Sequence, residues 1–107
     1  MGVDAMDWVF RKSPYCGELM LIQLAISDGV HEPYNNCFPV NEEVVEKLAA
    51  KAHCSIAAVR SAIMQMTEDG LLEIVRDQKV AEGEVMYRFL MPELVEGQPI
   101  HQKRRLQ

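Results

Sequence analysis

Residues 54–70 have the sequence CSIAAVRSAIMQMTEDG, and this stretch decides the fold. Ser55 suits the N-cap of a helix, because its hydroxyl can accept one of the amide protons left free at a helix start. Four apolar residues recur at helical spacing and predict a side turned towards a core: Ile56, Val59, Ile63 and Met66. Gly70 suits the left-handed position at which many helices end. The stretch therefore predicts a capped amphipathic helix over residues 55–69.

Two further helices are predicted upstream. The first covers residues 14–27, with Pro14 in its first turn, where the missing amide proton would be unpaired in any case. The second begins after Asn41, a good N-cap residue, and carries an apolar stripe as far as Ala52. Because only residues 52–54 separate that stripe from the next cap, the two helices form a helix-turn-helix pattern.

The remaining segments predict a loop and a β-hairpin. Residues 30–39 are rich in turn formers and are expected to be a loop, from which Phe38 inserts into the core. Residues 71–76 and 85–91 are rich in β-forming residues and predict two strands. The second strand alternates, and its inward positions are expected to be Val85, Tyr87, Phe89 and Met91. The polar residues 77–84 suit the tip of the hairpin.

Several segments together resemble one known family. They are Leu24–Asp28, Cys37–Val40, Leu48–Ala49, Cys54–Ser55, Val59–Arg60, Gly70–Ile74 and Met86–Leu90. The pattern resembles the winged helix-turn-helix domains that are common in actinobacterial, phage and plasmid regulatory and replication-initiation proteins, and it covers about residues 8–92. The resemblance implies a mainly α fold with a small β-hairpin (α+β) over residues 14–92, a three-helix bundle with a two-stranded wing.

The segments on either side are expected to lie outside this domain. Residues 1–13 are interpreted as an N-terminal arm, whose Trp8 and Phe10 gain about 1.5–3 kcal/mol each from burial. The arm is expected to pack either on its own domain or on a second copy of the chain. Residues 93–107 are expected to be a short turn and a flexible basic tail.

Composition narrows the class of protein. The chain has 107 residues, of which 49% are hydrophobic and 25% charged, as in a single folded domain. No apolar run approaches the roughly 18 residues of a membrane helix, and no signal pattern opens the chain, so a cytoplasmic location without membrane contact is expected. The three cysteines, at positions 16, 37 and 54, are too few for a disulfide framework. A metal site of Cys37, Cys54 and His53 is an alternative, but these residues lack the paired spacing typical of zinc ligands. No metal or cofactor is therefore expected.

The chain is not expected to be an enzyme. The histidines at positions 31, 53 and 101 are scattered, and no phosphate-binding loop or nucleophile-base set is present. The acidic pairs Glu42-Glu43 and Glu68-Asp69 are interpreted as features of helix ends. Function is therefore sought in binding.

The first hypothesis is a small regulator of transcription or replication, which binds duplex DNA through helix 55–69 as a dimer on a two-fold site. The resemblance places its helix contacts at Ser55, Ala57, Ala58, Arg60, Ser61 and Gln65. Basic residues expected on phosphates are Lys47, Lys51, Arg76, Lys79, Lys103, Arg104 and Arg105. Family members often have arginine, threonine or serine directly after the cap serine. Isoleucine and alanine stand here instead, so little direct base readout is expected.

The second hypothesis is a module for protein–protein contact with little or no sequence-specific DNA binding. The net charge of −5 favours it, because DNA-binding domains usually present a basic face. Its candidate interface residues are Trp8, Ala57, Ser61 and Met64, and a regulator, a polymerase or a replication factor are the partners considered. Met64 lies either on this surface or in the core beneath the wing or the C-terminal segment.

Overall fold

A computed structural model describes residues 3–30, 36–76 and 80–92. These residues form four helices and a three-stranded antiparallel sheet, a mixed α+β fold. The elements in chain order are α1 Val3–Lys12, α2 Gly17–Asp28, β1 Cys37–Val40, α3 Glu42–Ala52, α4 Ile56–Glu68, β2 Leu72–Ile74 and β3 Val85–Phe89. The strand order is β1-β3-β2, so β3 lies in the centre. Within the described ranges, no helix has the length and apolar character needed to cross a membrane.

The predicted N-terminal arm contains helix α1. The described residues therefore form four helices where the sequence predicted a three-helix bundle. Ala5, Trp8 and Val9 recur at helical spacing and are buried where α1 packs on α2. The indole of Trp8 also meets the ring of Phe89 edge-on, with 6.4 Å between the ring centroids. The expected burial of Phe10 was wrong, since its side chain is 63% exposed on the opposite side of α1.

The structure corrects the start of the next helix. Helix α2 begins at Gly17 instead of Pro14, and Cys16 occupies its N-cap position. The Oγ of Ser13 accepts a hydrogen bond from the backbone N–H of Tyr15 at 3.1 Å, which turns the chain before the helix. The buried side chain of Tyr15 then reaches the core.

The structure also corrects the predicted loop over residues 30–39 and the two-stranded wing. Residues Cys37–Val40 form strand β1, which pairs antiparallel with β3 and is the third strand of the sheet. Phe38 lies opposite Tyr87, and their rings stack with 6.1 Å between centroids. Phe38 is buried, as predicted. The pairing depends on a partner far along the chain, so local turn propensity was a poor guide.

Both predicted helix caps are confirmed. The side chain of Asn41 accepts a hydrogen bond from the N–H of Val44 at 2.8 Å at the start of α3. The side chain of Ser55 accepts one from the N–H of Ala58 at 3.0 Å at the start of α4. The two caps therefore fix where α3 and α4 begin.

Helix α4 ends as its glycine predicts. Gly70 has a φ of +79°, and its N–H donates to the carbonyl of Thr67. The N–H of Leu71 donates to the carbonyl of Met66 at 2.8 Å, which completes a Schellman motif. This motif directs the chain from α4 into β2.

Of the eight predicted inward residues of α4 and β3, four are buried and one is partly buried, and the three exposed residues lie at the ends of the predicted elements. Val59, Ile63 and Met66 are in the core, but Ile56 is exposed because it is the first residue of the helix. In β3, Phe89 is buried and Tyr87 partly buried, whereas Val85 is exposed at the start of the strand. Met91 is exposed because the strand, and with it the alternation, ends at Phe89.

Some predictions concern residues outside the described ranges. They are residues 31–35 of the predicted loop, residues 77–79 of the hairpin tip, which include Lys79, and the predicted tail over residues 93–107, which includes Lys103, Arg104 and Arg105.

The turn between α3 and α4 holds His53 in the left-handed conformation, with φ 56° and ψ 47°. A side chain at such a position costs on the order of 1 kcal/mol, which glycine avoids. We expect His53→Gly to raise the free energy of unfolding by about 0.5–1 kcal/mol in urea denaturation. His53→Ala is the control, because alanine keeps the Cβ. A glycine variant that is no more stable than the alanine variant would contradict this account.

Candidate functional site

Helix α4 exposes one side along its length, opposite the buried side that contains Val59 and Ile63. Ala57, Ser61 and Met64 lie along the middle of this exposed side. The side chain of Met64 is 66% exposed, so it belongs to the surface and not to the core. We call the side defined by Ala57, Arg60, Ser61 and Met64 the α4 face.

Arg60 supplies the positive charge of the α4 face. Its side chain is exposed, and it forms neither a hydrogen bond nor an ion pair with any residue in the described ranges. A guanidinium in this state can bind a phosphate or a carboxylate without first breaking an internal contact. Arg60 is therefore the most available charged donor on this helix.

The other residues of this helix that were predicted to contact DNA either stabilise the fold or lie outside the α4 face. Ser55 uses its side chain as the N-cap of α4. Ala58 is partly buried and packs against the core. The Nε2 of Gln65 donates to the Oδ2 of Asp69 at 2.9 Å, so this amide already has an internal partner. The residues that the structure brings together on the exposed side are those of the α4 face.

Two of the four lysines predicted to contact phosphates form ion pairs with carboxylates. Lys47 lies 3.0 Å from Glu43 within α3. Lys51 lies 2.7 Å from Asp28 of α2, and its hydrogen bond and charge lower the pKa of that carboxyl from its ordinary value of 3.8. The Lys47–Glu43 pair is largely exposed and the Lys51–Asp28 pair is a little under half exposed. Exposed ion pairs contribute about 0–1 kcal/mol, so each lysine can exchange its carboxylate for a phosphate at little cost in free energy. Arg76 is exposed two residues after the end of β2.

A groove of about 430 Å³ adjoins the α4 face. It lies between α4, the start of α3 and the start of β3, with Arg60 and Glu42 as charged residues of its lining. The Nδ2 of Asn41 donates to the Oε2 of Glu84 at 2.7 Å and ties α3 to the residues before β3. The apolar residues of the lining are Val40, Val45, Ile63, Met64, Val85 and Tyr87.

Lys51 does not border this groove. It lines a separate hollow of about 290 Å³ together with Met6, Leu21 and Leu24. Arg60 and Lys51 therefore border different hollows of the surface.

Trp8, a candidate interface residue, is buried in the core of its own chain and is not a surface residue. Two exposed apolar residues that the sequence reasoning did not select are Phe10 and Leu21. Helical spacing could have indicated Phe10, because it lies on the side of α1 opposite Ala5 and Val9. The same spacing could have placed Leu21 on a strip with Leu24.

The α4 face can donate hydrogen bonds from a guanidinium and a hydroxyl, and it offers apolar contact from an alanine and a methionine. Among the residues that the structure describes, no group of three or more His, Cys, Asp or Glu side chains could hold a metal ion. Comparison of the chain with protein-family models, with curated proteins and with solved structures finds no match.

Proposed function

We propose that this chain is a winged helix-turn-helix domain that binds duplex DNA through the α4 face. The order of its elements supports the proposal: α3, a short turn and α4 are followed by the β2–β3 hairpin, with β1 paired to β3. Helix α4 has 13 residues, and an α-helix with its side chains is about 10–12 Å across, so it fits the roughly 12 Å wide major groove. The observation that carries the proposal is an exposed side of α4 with Arg60 available upon it.

The side chains of the α4 face favour contact with the DNA backbone over reading of bases. Arg60 can contact a phosphate or a guanine edge, and the hydroxyl of Ser61 can contact a phosphate. Ala57 can only touch a thymine methyl. The backbone N–H groups at the start of α4 can also bind a phosphate, and the first turn of this helix has no acidic residue that would repel it. We therefore propose binding with weak sequence preference.

Fluorescence anisotropy with labelled random-sequence duplex DNA, over about 50 to 200 mM salt, tests this proposal. The full chain is expected to bind at low salt and to lose affinity steeply as salt rises, because binding releases counterions. We expect Arg60→Ala to weaken binding about tenfold or more. Lys12→Ala is the control, since Lys12 is an exposed basic residue at the end of α1 and lies outside the α4 face, and it is expected to leave the affinity unchanged.

The same assay on a chain shortened at residue 100 separates α4 from the basic tail. Under the proposal, the shortened chain still binds, and Arg60→Ala still weakens its binding. Binding that disappears with residues 101–107 and is indifferent to Arg60→Ala would contradict the proposal, because it would be charge attraction to the tail alone.

A second candidate function is binding of a protein partner at the same side of α4. The observation that favours it is the exposure of Met64 beside an apolar groove, since methionine adapts well to partner surfaces. The groove suits a segment with apolar side chains and one acidic group that reaches Arg60. A partner that is lost with Met64→Glu and retained with Phe10→Glu would support this candidate. Recovery unchanged by Met64→Glu would argue against it.

A further inference from the structure

A second apolar surface lies on α1 and α2. Phe10 is 63% exposed and Leu21 is 52% exposed, whereas Met6 and Leu24 are partly buried beside them. Met6, Leu21 and Leu24 border one hollow of about 290 Å³, and Phe10 follows Met6 by one helical turn. We call this surface, defined by Met6, Phe10, Leu21 and Leu24, the α1/α2 face.

Helical spacing explains why Phe10 and Leu21 are exposed. The buried residues of α1, such as Val9, point towards α2, and Met6 and Phe10 lie on another side of the helix. In α2 the buried residues cover most of the circumference, which leaves a narrow strip that contains Leu21 and Leu24. Contiguous exposed apolar side chains at the surface of a small domain indicate an interaction site.

The charges at the edge of this face suit a second copy of the same chain. Asp7 and Arg11 lie one turn apart on α1, 3.4 Å from each other, and both side chains are largely exposed. Two α1 helices placed antiparallel about a two-fold axis would set Asp7 of one copy opposite Arg11 of the other, twice. A parallel arrangement would set like charges opposite each other. A two-fold interface requires this kind of self-complementary surface.

We propose that a second copy of this chain covers the α1/α2 face, with the two α1 helices antiparallel. Helices of 10 and 12 residues are about 15 and 18 Å long, so the interface would bury on the order of 1,000 Å² over both copies. This area is near the lower limit for specific association, and a dissociation constant in the micromolar range is expected. The interface does not use the α4 face, so this proposal stands independently of DNA binding.

Sedimentation equilibrium of the full chain, without DNA, over about 5 to 500 µM tests the proposal. The wild type is expected to dimerise, and Leu21→Glu or Phe10→Glu to weaken association at least tenfold. Met64→Glu is the control, because it places the same charge at an exposed apolar position of the α4 face, and it is expected to dimerise like the wild type. Circular dichroism melting curves establish that each variant is folded.

Charge exchange tests the antiparallel arrangement. Asp7→Arg and Arg11→Asp are each expected to weaken self-association, because each substitution places two like charges opposite each other, at residue 7 of one copy and residue 11 of the other. An equimolar mixture of the two variants, and the double variant Asp7→Arg/Arg11→Asp, are both expected to dimerise. A wild type that stays monomeric throughout the range, or a dimer unaffected by both Leu21→Glu and Phe10→Glu, would overturn the proposal. Two single variants that associate like the wild type would overturn the antiparallel arrangement.

Discussion

Trp8→Ala is expected to lower the free energy of unfolding by about 3–5 kcal/mol. Trp8 is only 8% exposed and packs edge-on against Phe89 in the central strand, so its removal leaves a cavity between α1 and the sheet. Urea denaturation followed by circular dichroism is the suitable measurement, because the variant lacks the single tryptophan that fluorescence would report.

Phe10→Ala is the matched control for this prediction. Phe10 lies two residues further along the same helix, but 63% of its side chain is exposed, so we expect a change of less than about 1 kcal/mol at concentrations where the chain is monomeric. Equal effects of the two substitutions would contradict the docking of α1 on the domain.

Asp69→Ala is expected to lower the free energy of unfolding by about 2–4 kcal/mol. The carboxylate of Asp69 is only 4% exposed. Its Oδ2 accepts hydrogen bonds from the hydroxyl of Tyr15 at 2.7 Å and from Nε2 of Gln65 at 2.9 Å. The substitution removes both bonds: the Tyr15 bond joins the end of α4 to the segment before α2, and the Gln65 bond holds the last turn of α4.

Tyr15→Phe removes one of these bonds and is expected to cost about 1–2 kcal/mol. The double variant Tyr15→Phe/Asp69→Ala is expected to lose less free energy of unfolding than the sum of the losses in the two single variants, because the bond that the two residues share is lost only once. Urea denaturation of the four proteins measures this coupling. Fully additive losses would contradict a direct interaction between the two side chains.

The parts of the fold that depend on local chemistry could be predicted from the sequence. Asn41 and Ser55 cap their helices through bonds to residues only three positions away. Gly70 ends α4 through bonds to the preceding turn. These contacts need no distant partner, and the residue types that make them are few.

The parts that depend on distant partners could not be predicted. Strand β1 forms because Phe38 meets Tyr87, and its own sequence, which contains Pro39, favours a turn. Helix α1 has only 10 residues, too few for an isolated helix to be stable, so its formation depends on packing by Trp8 and its neighbours.

The candidate site shows the same division. Helical spacing places Ala57, Ser61 and Met64 on one side of α4, which the structure confirms as exposed. The ion pair between Lys51 and Asp28 joins two helices, and no pattern in either helix indicates it. The bond between Gln65 and Asp69 spans one helical turn, so its spacing offered a signal that the sequence reasoning did not use.

The most direct test of the central claim, that duplex DNA lies on the α4 face, is a chemical-shift titration. An isotope-labelled chain is titrated with duplex DNA at low salt, and the backbone amide signals are followed by nuclear magnetic resonance. We predict the largest shifts at Ala57, Arg60, Ser61 and Met64, and little change at Leu21. Shifts confined to residues 101–107, or no shifts at all, would contradict the account.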